Sequence, residues 1–108
     1  MKDFNGFSPI FAASSEGYLE IVRHLSECEC NKNDKNKNGS SSLHLATIEG
    51  HNLVVEYLGL IGANLNAEDK KGKTPLDYAK ERRNENAQYK KIFYFLSKLG
   101  AKYSNQLF

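Results

Sequence analysis

The chain has 108 residues, 40% of them hydrophobic, and a formal net charge of +2 at pH 7. That length suits one domain with a modest core, and a charge so near neutral does not by itself point to nucleic acid or a membrane surface. No apolar run nears the roughly 20 residues that cross a bilayer, and Met1-Lys2-Asp3-Phe4 does not lead into a signal-peptide core, so the chain reads as soluble and unexported.

The first regular element opens at Gly6-Phe7-Ser8-Pro9-Ile10-Phe11-Ala12-Ala13. Asp3, three residues earlier, is a type whose short side chain bonds the backbone of a tight turn. Ser8 is a helix cap and Pro9 sits at the first helical position, where a missing N–H costs nothing. Ile10 and Ala13 share one face of the predicted helix. A second helix returns through Gly17-Tyr18-Leu19-Glu20-Ile21-Val22-Arg23-His24-Leu25, with Ile21, Val22 and Leu25 as an apolar stripe that one helix pair cannot cover alone. His24 is expected on an outward face.

Cys28 and Cys30 are too close in sequence for an unstrained bridge, and a reducing compartment, cytoplasmic or otherwise intracellular, fits them better. With His24 they offer three ligands at poor spacing, so no metal site is expected. Cys30 falls where the next unit has Ala63 and reads as a small packing residue. Glu29 replaces the glycine expected at the helix exit.

The next unit starts at Asn36 and runs Gly39-Ser40-Ser41-Ser42-Leu43-His44-Leu45-Ala46, keeping the cap and dropping the proline. Its second helix, Gly50-His51-Asn52-Leu53-Val54-Val55-Glu56-Tyr57-Leu58, repeats the stripe as Val54, Val55 and Leu58. It stops at Gly62-Ala63-Asn64-Leu65-Asn66, glycine for the exit and asparagines for the turn. A third unit starts at Asp69 and reads Gly72-Lys73-Thr74-Pro75-Leu76-Asp77-Tyr78-Ala79. Gly6, Gly39 and Gly72 thus recur every 33 residues. From Ala79 to Ile92 is 13 steps against 8 from Ala46 to Val54, so five residues are added. Arg83 stands where the other units have Gly17 and Gly50, and Arg82 to Gln88 is read as a longer polar connection. The register resumes with Ile92, Phe93 and Leu96, then Gly100-Ala101. No turn signal follows Lys102.

Period, glycines and helix stripes resemble the ankyrin repeat, whose Thr-Pro-Leu-His-x-Ala core appears as Ser8-Pro9-Ile10-Phe11-Ala12-Ala13, Ser41-Ser42-Leu43-His44-Leu45-Ala46 and Thr74-Pro75-Leu76-Asp77-Tyr78-Ala79. The resemblance implies an all-α solenoid of three stacked helix-turn-helix repeats, about 3–35, 36–68 and 69–103, forming one domain over 1–108 with projecting turns. It also implies that His44 ties neighbouring turns together and that His51 has a structural role. The charged third repeat, with Lys80, Glu81, Arg82, Arg83, Lys90, Lys91 and Lys98, reads as the solvated end of the array.

Proteins of this kind usually bind other proteins through the turn tips and the inner face of the first helices. Here those positions are Phe4, Asn5 and Phe7, then Lys37, Asn38 and Ser40, then Lys70, Lys71 and Lys73 at the tips. On the inner helices they are Glu16, Ile48 with Glu49, and Glu81 with Arg82. The row passes from aromatic to basic, which suits a partner protein with an acidic patch. The competing readings are that Phe4 and Phe7 pack over the bare end of the first repeat or mediate self-association, and that the lysines serve solubility. A lysine-bearing row from Asn31 to Asn38, joined by Lys70, Lys71 and Lys73, is an alternative polyanion or nucleic-acid surface, though Asp34 and Asp69 interrupt it and stacking aromatics are missing. No nucleophile motif, phosphate-cradling loop or cofactor signature is present, so neither an enzyme nor a cofactor is expected.

Overall fold

The computed structural model describes residues 9–28 and 35–102. Expectations for Asp3, Phe4, Asn5, Phe7, Ser8, Glu29, Cys30, residues 31–34 and the tail after Lys102 lie outside them. Among the described residues six helices run in order: α1 (Pro9–Glu16), α2 (Leu19–Cys28), α3 (Ser42–Ile48), α4 (Asn52–Leu60), α5 (Pro75–Arg82) and α6 (Ala87–Lys98). Among the described residues there is no strand, only an antiparallel bridge between Lys35 and Ser41 at the base of a turn. The helices pair as α1 with α2, α3 with α4 and α5 with α6. α1, α3 and α5 stack as one layer, α2, α4 and α6 as the other.

The caps explain where the first-layer helices begin. Ser41 and Thr74, both extended, each accept the N–H of the third helical residue, His44 or Asp77, whose side chain takes the cap's own N–H in return. Pro75 follows Thr74 at the first helical position, whereas α3 has Ser42 there, with a buried hydroxyl that has no partner. Ser42→Pro is expected to stabilise the protein by about 1 kcal/mol. The ring suits a helix start after an extended residue, restricts the unfolded chain and removes an unsatisfied polar group. Chemical denaturation of the variant checks this, and an unchanged or lower midpoint contradicts it.

Between the layers lie the expected pairs Ile10 with Ala13, Leu43 with Ala46 and Leu76 with Ala79, together with Val22, Val54, Val55, Leu58, Ile92 and Leu96, all buried. One member of the expected stripe departs: Ile21 is 49% exposed, while its counterparts Val54 and Ile92 are 1% and 0% exposed. Those two are covered by a preceding repeat, and Ile21 belongs to the first. The five extra residues of the third repeat also behave differently from the long polar connection expected. The loop is only Arg83 to Asn86, α5 ends level with α1, and the remainder lengthens α6 at its start. Arg83 has right-handed helical backbone, so α5 is not turned out where the glycines turn α1 and α3.

The turns at the layer edge are built as their sequences require. Asn36 Oδ1 accepts the N–H groups of Asn38 (2.9 Å) and Ser40 (3.0 Å), and Asp69 Oδ1 those of Lys71 (2.9 Å) and Lys73 (3.0 Å). Gly39 and Gly72 close them at φ 76° and 77°. The later turn rests on the earlier, the Lys70 N–H donating to the Asn38 carbonyl at 3.1 Å. A Cβ on Gly39 would stand 2.9 Å from the Lys70 nitrogen, whereas one on Gly72 meets nothing within 4 Å. Gly72→Ala is therefore expected to cost roughly 1 kcal/mol of left-handed strain, and Gly39→Ala about 1–3 kcal/mol more for the backbone clash. Equal losses in paired melts would show that the turns do not bear on each other.

Candidate functional site

The second and third turns and the helices behind them enclose a concave surface of about 410 Å³, lined by Asn36, Asn38, Ser40, Leu45, Ile48, Asp69, Lys70, Lys71 and Tyr78. Leu45 and Ile48 are three residues apart on α3 and therefore share its inner face. Tyr78 comes from α5 at the position equivalent to Leu45. Five sequence-predicted residues meet here: Asn38, Ser40, Ile48, Lys70 and Lys71. Ser40 differs from an exposed tip residue, being 7% exposed and drawn beneath the turn by its bond to Asn36.

Elsewhere the predicted residues are spread out. Lys73 pairs with Glu81 at 2.6 Å and lies 5.1 Å from the Tyr78 ring centre, so two residues expected to face a partner face each other. Arg82 stands 4.0 Å from Glu85 and 5.9 Å from the Tyr89 ring centre. Lys37 and Glu49 are exposed beside the groove, and Glu16 is exposed at the end of α1.

The groove's polar wall is fixed by a set of bonds reaching across repeats. The Ser41 N–H donates to His44 Nδ1 at 3.2 Å, so that nitrogen is an acceptor and Nε2 carries the proton, donated to the Lys73 carbonyl at 2.8 Å. His44 thereby ties its own cap to the following turn, the role expected of it. Burial pushes its pKa below the ordinary value, against the opposing effect of the bond to Lys73. Its ring also meets Tyr78 edge-on, with centroids 6.0 Å apart. The Tyr78 hydroxyl donates to Asp69 Oδ2 in a short hydrogen bond. Partial burial would raise the Asp69 pKa, but that hydroxyl and the N–H groups of Lys73 and Lys71 outweigh it and hold the carboxylate below its usual range. Burial, and then the bond to the carboxylate, push the Tyr78 phenol well up.

Three contributors were not singled out from sequence. Leu45 and Tyr78 occupy the variable position of the first-helix motif, and the three-residue spacing from Leu45 to Ile48 was the available signal. Tyr89 was hidden by the insertion. Counting back three residues from Ile92, as His51 lies three before Val54, aligns them. His51 Nε2 donates to the Ser15 carbonyl at 2.9 Å, and the Tyr89 hydroxyl donates to the equivalent Ile48 carbonyl at 2.8 Å. Tyr89 thus anchors the end of α3 from which Ile48 faces the groove.

No group of three or more His, Cys, Asp or Glu that could hold a metal ion stands among the described residues. No helix among them is long and apolar enough to cross a membrane. No curated protein matches the chain significantly. The family model for ankyrin repeats, in three copies, matches residues 10–106. With its capped helix pairs, stacked turns and reinforced inner groove, the chain belongs to the ankyrin-repeat family.

Proposed function

We propose that this chain is a non-catalytic module that binds a partner protein bearing an acidic patch, through the groove between its second and third turns. Ankyrin repeats are generally protein–protein interaction modules and are typically non-catalytic. The observation that carries the more specific reading is the meeting of half-buried Leu45, Ile48 and Tyr78 with exposed Lys70 and Lys71 around one concavity. An apolar floor gives a side chain somewhere to be desolvated, and cations on the rim select its flanking charge. The lysine row is a weaker reading as a polyanion site. Lys35 donates to the Glu68 carbonyl at 2.9 Å and Lys73 is paired with Glu81, so two of its cations are already engaged.

Capture from a lysate of the native source tests the proposal by comparing the parent with an Ile48→Ala, Lys70→Glu, Lys71→Glu variant. Lys73 is left intact because its pair with Glu81 belongs to the fold. A partner lost by the variant, with circular dichroism unchanged, is the expected result. A partner retained by a folded variant overturns the groove as the binding surface.

A further inference from the structure

One device recurs at the successive repeat junctions. His51 sits against Gly17, where a Cβ would stand 2.5 Å from its Nδ1, and Tyr89 sits against Gly50, where a Cβ would stand 3.1 Å from its Cζ. Each ring also donates to the carbonyl two residues before that glycine, Ser15 or Ile48. The glycine leaves room for the ring, and the carbonyl fixes it.

Tyr18 is the same position in the first repeat. Its backbone is held identically: the Tyr18 N–H donates to the Ala13 carbonyl and its carbonyl accepts from Val22, as His51 does with Ala46 and Val55. Yet Tyr18 is 54% exposed where Tyr89 is 8% exposed, and Ile21 beside it is 49% exposed where Ile92 is 0%. Tyrosine and isoleucine here match the ring and the aliphatic contact used at the other junctions.

We infer that Tyr18 and Ile21 form an open stacking surface for a further ankyrin-type helix pair presented by a partner protein, one whose inter-helix turn carries a glycine and an accepting carbonyl two residues before it. Continuity with the two junctions inside the chain specifies that occupant. A second copy stacked head to tail does not fit, because the chain's last repeat offers Arg83 in right-handed backbone at the glycine's position. The surface is separate from the groove proposed above, and neither reading depends on the other.

The test joins a copy of residues 36–68, which carries the glycine-bearing turn, directly ahead of Asp3 of the full chain, so that the 33-residue register is kept. Tethering holds the probe at high effective concentration, so failure there also removes the weaker contact between separate chains. In chemical denaturation, Tyr18→Ala is expected to change the unfolding constant little in the unfused chain and at least about tenfold in the fusion, where it loses a hydrogen bond and ring packing. Gly50→Arg within the copy, mimicking Arg83, is expected to erase that difference. Equal effects of Tyr18→Ala in both backgrounds overturn the inference, as does a graft that unfolds separately from the rest. Head-to-tail association of the unfused chain in sedimentation overturns the choice of partner.

Discussion

Leu58→Ala is expected to destabilise the protein by about 2–5 kcal/mol, a large share of the roughly 5–15 kcal/mol that holds a domain together. Leu58 is fully buried on α4, the helix that packs on α2 before it, α6 after it and α3 beneath it. Truncation leaves a cavity at the centre of the array, and the neighbours cannot close it without pulling away from their own repeats. A repeat array is stabilised by contacts between adjacent units, so damage to the middle one weakens both junctions together. One cooperative transition at a much lower denaturant midpoint is the expected result by far-UV circular dichroism. Leu53, on the same helix but 61% exposed, is the control, and Leu53→Ala should stay within about 0.5 kcal/mol of the parent. Similar losses for both would mean that α4 does not present the face described.

The contrast between Leu53 and Leu58 also marks how much of the fold was legible in the sequence. Period and stripe placed Val54, Val55 and Leu58 inward because the spacing of apolar residues decides which side of a helix avoids water. The stripe could not tell whether another repeat covers it. Ile21 therefore reads like Val54 in sequence and differs from it in the structure. Asn36 and Asp69 were legible as turn residues because their bonds are local, reaching two and four residues along the chain. Bonds across repeats were harder to see. Only the recurrence of the family's histidine pointed to His44, and Tyr89, a tyrosine in a histidine's place behind an insertion, could be aligned only by counting back from Ile92. At the candidate site the turn tips could be named, but the Lys73 pairing with Glu81 depends on a turn residue folding towards a helix eight positions later. No periodicity encodes that approach.

His44→Ala is expected to cost about 2–4 kcal/mol, combining a lost cap of about 1 kcal/mol with roughly 1–3 kcal/mol for leaving the Lys73 carbonyl short of its donor. The same residue makes the fold sensitive to mild acid. His44 is fully buried, and its Nδ1 must stay unprotonated to accept from Ser41. A second proton would set two donors against each other. Its folded pKa therefore lies below the ordinary 6.5, chiefly through desolvation and despite the bond to Lys73. Between those values the unfolded chain holds the extra proton, so stability is full above about pH 6.5 and falls as the pH drops towards the folded pKa. The slope cannot exceed roughly 1.4 kcal/mol per pH unit for one proton. Asp69, also depressed, adds a second loss as the pH falls below its ordinary 3.8. Glutamine can serve in the same capping arrangement but does not titrate. In melts across pH 2 to 8, His44→Gln should remove the upper loss and leave the one that begins near Asp69's range. An upper loss that survives His44→Gln would assign the acid sensitivity to another group.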